Sequence, residues 1–109
     1  MNAGSAISTS SESSPGSRSK PQLLFFCSAR SGPSRRAEGY LAQVLQRRGN
    51  HDAFQLHRLD VDEYPTTARR FEIKTLPTLI VIDDKKLQAR LEVPTSCVQI
   101  RTALTRWLR

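Results

Sequence analysis

The stretch LLFFCSARSGPSRR, residues 23–36, constrains the fold more than any other. LLFFCS is a short, nearly unbroken apolar run. It is too short for a buried helix and right for a strand covered on both faces. Ser-Gly-Pro then breaks the run, and from Ser34 the periodicity changes. Ala37, Tyr40, Leu41, Val44 and Leu45 fall at i, i+3, i+4, i+7 and i+8, one face of a helix. Pro33 fits the first helical turn, where its missing N–H leaves nothing unpaired, with Ser31 or Gly32 as N-cap. Arg47 and Arg48 suit the negative end of the helix dipole, and Gly49 suits the C′ position. A buried strand feeding an amphipathic helix predicts a β-α-β crossover, which is right-handed and has parallel strands.

The rest of the chain fits that start. FQLHRLDV, residues 54–61, reads as a second strand, and Asp62-Glu63-Tyr64-Pro65 ends it. A short helix over 66–73 turns Ala68 and Phe71 inward. Thr78–Asp83 is a second apolar strand. After a tight turn, residues 87–92 alternate, with Leu87, Ala89 and Leu91 predicted on one face. Ser96 can cap a last helix bearing the stripe Ile100, Ala103, Leu104, Trp107 and Leu108. The predicted fold is α/β: a mixed four-stranded sheet in the order β-α-β-α-β-β-α, with helices on both faces.

Residues 1–22 are crowded with Ser, Gly and Pro and hold one bulky aliphatic residue, Ile7. Such a segment cannot bury enough apolar surface to offset its ordering entropy, so a disordered tail is expected, with the domain at 23–109. The tail has neither the basic region nor the apolar region of a secretory signal. Neither apolar run elsewhere, Leu23–Cys27 or Leu79–Ile82, is long enough to cross a membrane. A cytoplasmic protein without a membrane partner is expected.

Seventeen basic residues against ten acidic give a net charge of +7. The basic residues are scattered in pairs, and no aromatic residues alternate with them on a strand as a stacking platform needs. Nucleic-acid binding is therefore disfavoured. Cys27 and Cys97 lie too far apart in sequence for a zinc motif, and two cysteines make no disulfide framework. His51 and His57 are isolated. No metal and no cofactor are expected.

Three motifs in order resemble the thioredoxin family. The first is Ser31-Gly32-Pro33-Ser34 between strand and helix. The second is Asp60-Val61-Asp62-Glu63-Tyr64-Pro65 with the short helix ending Arg70-Phe71-Glu72-Ile73. The third is Leu76-Pro77-Thr78-Leu79 entering an apolar strand. The resemblance spans about Leu23 to Leu108 and implies a minimal thioredoxin-like fold. It implies a cis Leu76–Pro77 bond facing Ser31 across a shallow groove, with Leu76 offering backbone groups to an extended segment. That groove comprises Arg30, Ser31, Gly32, Pro33, Leu76 and Pro77.

The chain departs from the family where the chemistry sits. The family's dithiol is Cys-x-x-Cys; here both positions, Ser31 and Ser34, are serines and cannot exchange a disulfide. Arg30 replaces the aromatic residue before the first cysteine, and the family's buried acid corresponds to Phe26. Val93-Pro94 stand where the family has a glycine. Neither serine has a histidine nearby to act as base, so both are read as helix-capping residues. The expected function is a non-catalytic module tied to redox homeostasis, binding a protein or extended peptide. Arg30, Arg35 and Arg36 favour an acidic partner. The alternative is a thiol-disulfide oxidoreductase acting through Cys27, with or without Cys97, which opens the last helix.

Overall fold

A computed structural model describes residues 20–108. The tail expected over 1–22 lies, up to residue 19, outside the described residues. The elements are β1 (Gln22–Cys27), α1 (Gly32–Gln46), β2 (Gln55–Asp60), α2 (Pro65–Arg70), β3 (Thr78–Asp83), β4 (Lys86–Glu92) and α3 (Cys97–Leu104). Residues Arg47–Asp52 form an irregular 3-10 segment between α1 and β2. The sheet order is β2-β1-β3-β4. β1 and β2 are parallel, whereas β3 is antiparallel to both β1 and β4.

The central strands are buried on both faces, as their unbroken apolar runs require. Leu23, Phe25 and Cys27 of β1 and Leu79 and Val81 of β3 pack against α1 and α3 through Ala37, Leu41, Val44, Ile100 and Leu104. Leu24, Phe26 and Ile80 face the other way, toward Ala68, Phe71 and Ile73 around α2. Phe26 and Phe71 meet in a tilted ring contact at 5.6 Å. The last turn of the chain closes the larger core. Trp107 packs on Phe54 at 6.0 Å, and its Nε1 donates to an Asp83 carboxylate oxygen at 3.0 Å.

Several details differ from the expectation drawn from sequence. α1 ends at Gln46, and the turn after it uses two consecutive left-handed residues, Arg48 (φ 54°) and Gly49 (φ 70°). α2 stops at Arg70 instead of reaching Ile73, because Glu72 is left-handed (φ 52°). Two Arg90 guanidinium N–H groups from β4 donate to the carbonyls of Phe71 and Glu72, at 2.7 and 2.8 Å, and hold that exit. Leu87, Ala89 and Leu91 do not share one face. The β3–β4 ladder shifts register between Val81 and Ile82. Ala89 and Leu91 pair with Val81 and Leu79 over the α1–α3 core, whereas Leu87 pairs with Ile82 and is 51% exposed. α3 ends at Leu104; Trp107 and Leu108 still pack inward, but from turns.

Candidate functional site

The ladder brings the candidate residues to one end of the sheet. Phe26 pairs with Thr78, so the chain leaving β1 toward Ser28–Ser31 emerges beside Pro77, where β3 begins. The Val61 N–H donates to the Cys27 carbonyl at 2.9 Å, which ties the exit of β2 to the same end. The Val93 N–H donates to the Pro77 carbonyl at 2.8 Å, which brings in the exit of β4. Connections at strand ends are where α/β folds place their binding residues.

The two serines are built into this junction. Ser31 is the N-cap of α1; its Oγ accepts the Ser34 N–H at 3.1 Å. Ser34 is buried, and its Oγ accepts the Ser28 N–H at 3.3 Å. The Ser31 N–H donates to the Ser28 carbonyl at 3.0 Å. Each hydroxyl thus satisfies a backbone donor that the strand-to-helix junction would otherwise leave unpaired. Gly32 has an ordinary backbone, and an added Cβ would only come within 3.4 Å of an Arg36 nitrogen, so no steric rule demands glycine there.

Charge at this helix start is one-sided. The first turn of α1 holds no acidic residue. Arg30, Arg35 and Arg36 are exposed, and Arg35 donates back to the Ala29 carbonyl at 2.9 Å, fixing the loop. These cations add to the positive end of the helix dipole instead of neutralising it.

In the loop leading into β3 the Leu76–Pro77 peptide is cis. Pro77 is buried and Leu76 is half-buried. The Thr78 hydroxyl donates to the Thr75 carbonyl at 2.8 Å, which pins the loop from within. Val93 holds a left-handed conformation (φ 47°). For a β-branched residue that conformation costs on the order of 1–2 kcal/mol.

The thiols lie elsewhere. Cys27 is 1% exposed on the α1 face of β1, and its Sγ lies 3.7 Å from the Leu59 carbonyl. Burial pushes its thiol above the ordinary value, and Arg58 only partly opposes this. Arg58 is itself engaged by Glu38, at 2.8 Å. Cys97 is half-buried at the start of α3, where its thiol donates to the Gln43 side-chain oxygen at 3.2 Å. Both cysteines are free. A reactive cysteine needs exposure and a setting that favours the thiolate; Cys27 has neither. The α1 face of β1 carries Phe25 and Cys27, whereas Phe26 faces α2, and neither face bears a carboxylate.

A β2-β1-β3-β4 sheet with α1 and α3 on one face, α2 on the other and a cis-proline at the mouth defines a thioredoxin-like α/β domain. The chain belongs to the thioredoxin family, whose model matches residues 12–106. A thioredoxin-like protein of Synechocystis is 29% identical over 83 residues, covering 74% of this chain and 75% of the relative. Thioredoxin of Mycobacterium tuberculosis is 34% identical over 68 residues, covering 62% of this chain and 57% of its own length. Among solved structures, Fasciola hepatica thioredoxin superposes with a TM-score of 0.70 at 19% identity, covering 83% of each chain. Thioredoxin-2 of the malaria parasite gives 0.71 at 21%, covering 80% of this chain and 82% of its own. At those identities the likeness is one of fold. Among the described residues no helix is long and apolar enough to cross a membrane.

Proposed function

We propose that this chain is a thioredoxin-family domain without the redox dithiol, and that its groove holds an extended, acidic segment of another protein. The observation that carries this reading is the use made of Ser31 and Ser34. They stand at the helix start where the family's chemistry requires thiols, and both hydroxyls are spent on backbone N–H groups. A serine hydroxyl neither attacks nor leaves a disulfide.

The groove keeps what binding needs. Leu76 makes no hydrogen bond to another described residue, so its backbone groups are open to a partner strand. Extended segments bind by adding main-chain hydrogen bonds of this kind. The uncompensated Arg30, Arg36 and helix N-terminus supply the preference for acidic side chains.

The reading is tested by insulin-disulfide reduction. The natural chain and Cys27→Ser are both expected to be inactive, and S31C/S34C to gain measurable activity. Reduction by the natural chain that is lost in Cys27→Ser overturns the reading in favour of a thiol oxidoreductase. For binding, acidic and basic extended peptides are titrated against the natural chain and Arg30→Glu. The acidic peptide is expected to bind more tightly, and to lose that advantage in the variant.

A further inference from the structure

A second candidate site lies at the opposite end of α1. A pocket of about 370 Å³ opens between the end of α1, the irregular segment after it and α3. Arg47, Arg48 and Arg101 line it, with Val44 and Leu108 as its apolar wall and Asn50 as a polar neighbour. α1 has 15 residues, so about 22 Å of helix separates this pocket from the groove.

We propose that this pocket binds a small anion carrying a diphosphate group. The first support is charge. Three arginines from two separate elements line one concavity, and no lining residue is acidic. None of the three side chains is engaged in an ion pair or hydrogen bond with another described residue. The C-terminal end of α1 supplies only about half a negative charge. One arginine offsets that end, and the remaining cations are left for a ligand.

The second support is chemistry. Guanidinium presents a planar fork of donors that matches phosphate oxygens two at a time. The volume equals on the order of ten waters, and lies within the roughly 300–1,000 Å³ range of small-ligand pockets. There is room for more than one phosphoryl group. The third support is backbone. Arg48 is held left-handed (φ 54°), a conformation better suited to Gly or Asn. That conformation, followed by left-handed Gly49, turns the chain sharply, so that Arg47 and Arg48 both line the pocket.

The full chain is titrated with sodium pyrophosphate, ADP and inorganic phosphate at matched ionic strength, with sodium chloride as the blank. Trp107, the only tryptophan and next to Leu108, reports by fluorescence. Saturable binding is expected, with pyrophosphate at least about tenfold tighter than phosphate. Equal affinity for ADP and pyrophosphate identifies the diphosphate alone as the ligand group, and tighter ADP identifies a nucleoside diphosphate. Arg47→Gln and Arg101→Gln, both at exposed positions, are each expected to weaken binding about tenfold without lowering Tm in ligand-free buffer. Arg36→Gln, the same charge loss at the other end of α1, is expected to bind as the natural chain does. The proposal is overturned if pyrophosphate behaves like chloride. It is also overturned if Arg36→Gln weakens binding as much as Arg101→Gln, or if a single-stranded oligonucleotide displaces pyrophosphate at equal phosphate concentration.

Discussion

Replacing Ser31 and Ser34 by alanine, singly and together, tests whether these hydroxyls hold the junction. Ser31→Ala removes the cap on the Ser34 N–H, bonded at 3.1 Å. Loss of a serine N-cap costs about 1 kcal/mol. Ser34→Ala removes the acceptor for the Ser28 N–H, at 3.3 Å, from a buried site. An N–H left unpaired there costs about 1–2 kcal/mol. The two bonds use different atoms, because Ser34 receives the cap through its backbone and gives its own help through Oγ. The two sites are in direct contact and share Ser28, so the losses are coupled, and the double variant should lose more than either single, up to roughly 2–3 kcal/mol. For a domain of this size that is a fall in Tm of roughly 10–20 °C. Urea unfolding followed by Trp107 fluorescence measures each loss. Single variants within about 0.3 kcal/mol of the natural chain, or a double variant no worse than the poorer single, would refute the reasoning.

Three further outcomes are expected. Arg90→Ala removes two short hydrogen bonds to the carbonyls beyond α2. It should lower stability by about 1–2 kcal/mol, discounted for partial exposure, and speed hydrogen exchange at the Ile73 amide, which donates to Ala68. Lys85→Gly should raise stability by about 0.5–1 kcal/mol in the same urea assay. Asp84 and Lys85 are both left-handed (φ 55° and 64°) and exposed, which is the geometry of a two-residue hairpin turn that favours glycine second. Cys27 should make the domain sensitive to alkali. Its folded thiol titrates above the ordinary 9.0 because it is buried. Below that value both states are protonated and its contribution is fully present. As pH rises beyond it the unfolded chain ionises first, and stability is lost until the folded thiol itself ionises. Cys27→Ala should flatten this fall in urea titrations from pH 8 to about 10.5.

Much of the fold was legible because its signals are local. The strand LLFFC, the helical stripe from Ala37 to Leu45 and the capping role of Ser31 need only neighbours in sequence, and each stands where the pattern puts it. What escaped reading depends on distant partners. The end of α2 is set by Arg90, far along the chain. Leu87 is turned outward by a register shift that perfect alternation in 87–92 cannot reveal. Arg47 and Arg48 read as helix-end charges, and nothing in the sequence links them to Arg101. Only the packing of α3 beside the end of α1 brings them into one pocket. Which residues of LLFFC face α1 and which face α2 is not written in a continuous apolar run; packing places Phe25 and Cys27 on one side and Phe26 on the other.

The register shift at Val81–Ile82 also bears on how copies of this chain meet. β2 and β4 are the outer strands, where unpaired backbone could recruit another molecule. β4 has the irregularity and carries Lys86, Arg90 and Glu92; β2 carries Gln55, His57 and Arg58. Bulged or charged edges resist edge-to-edge pairing. Leu56 and Leu87, each about half exposed, therefore sit on strands that discourage lengthening of the sheet. With charge on both outer strands and an irregularity on β4, edge-to-edge pairing between copies of this chain is disfavoured.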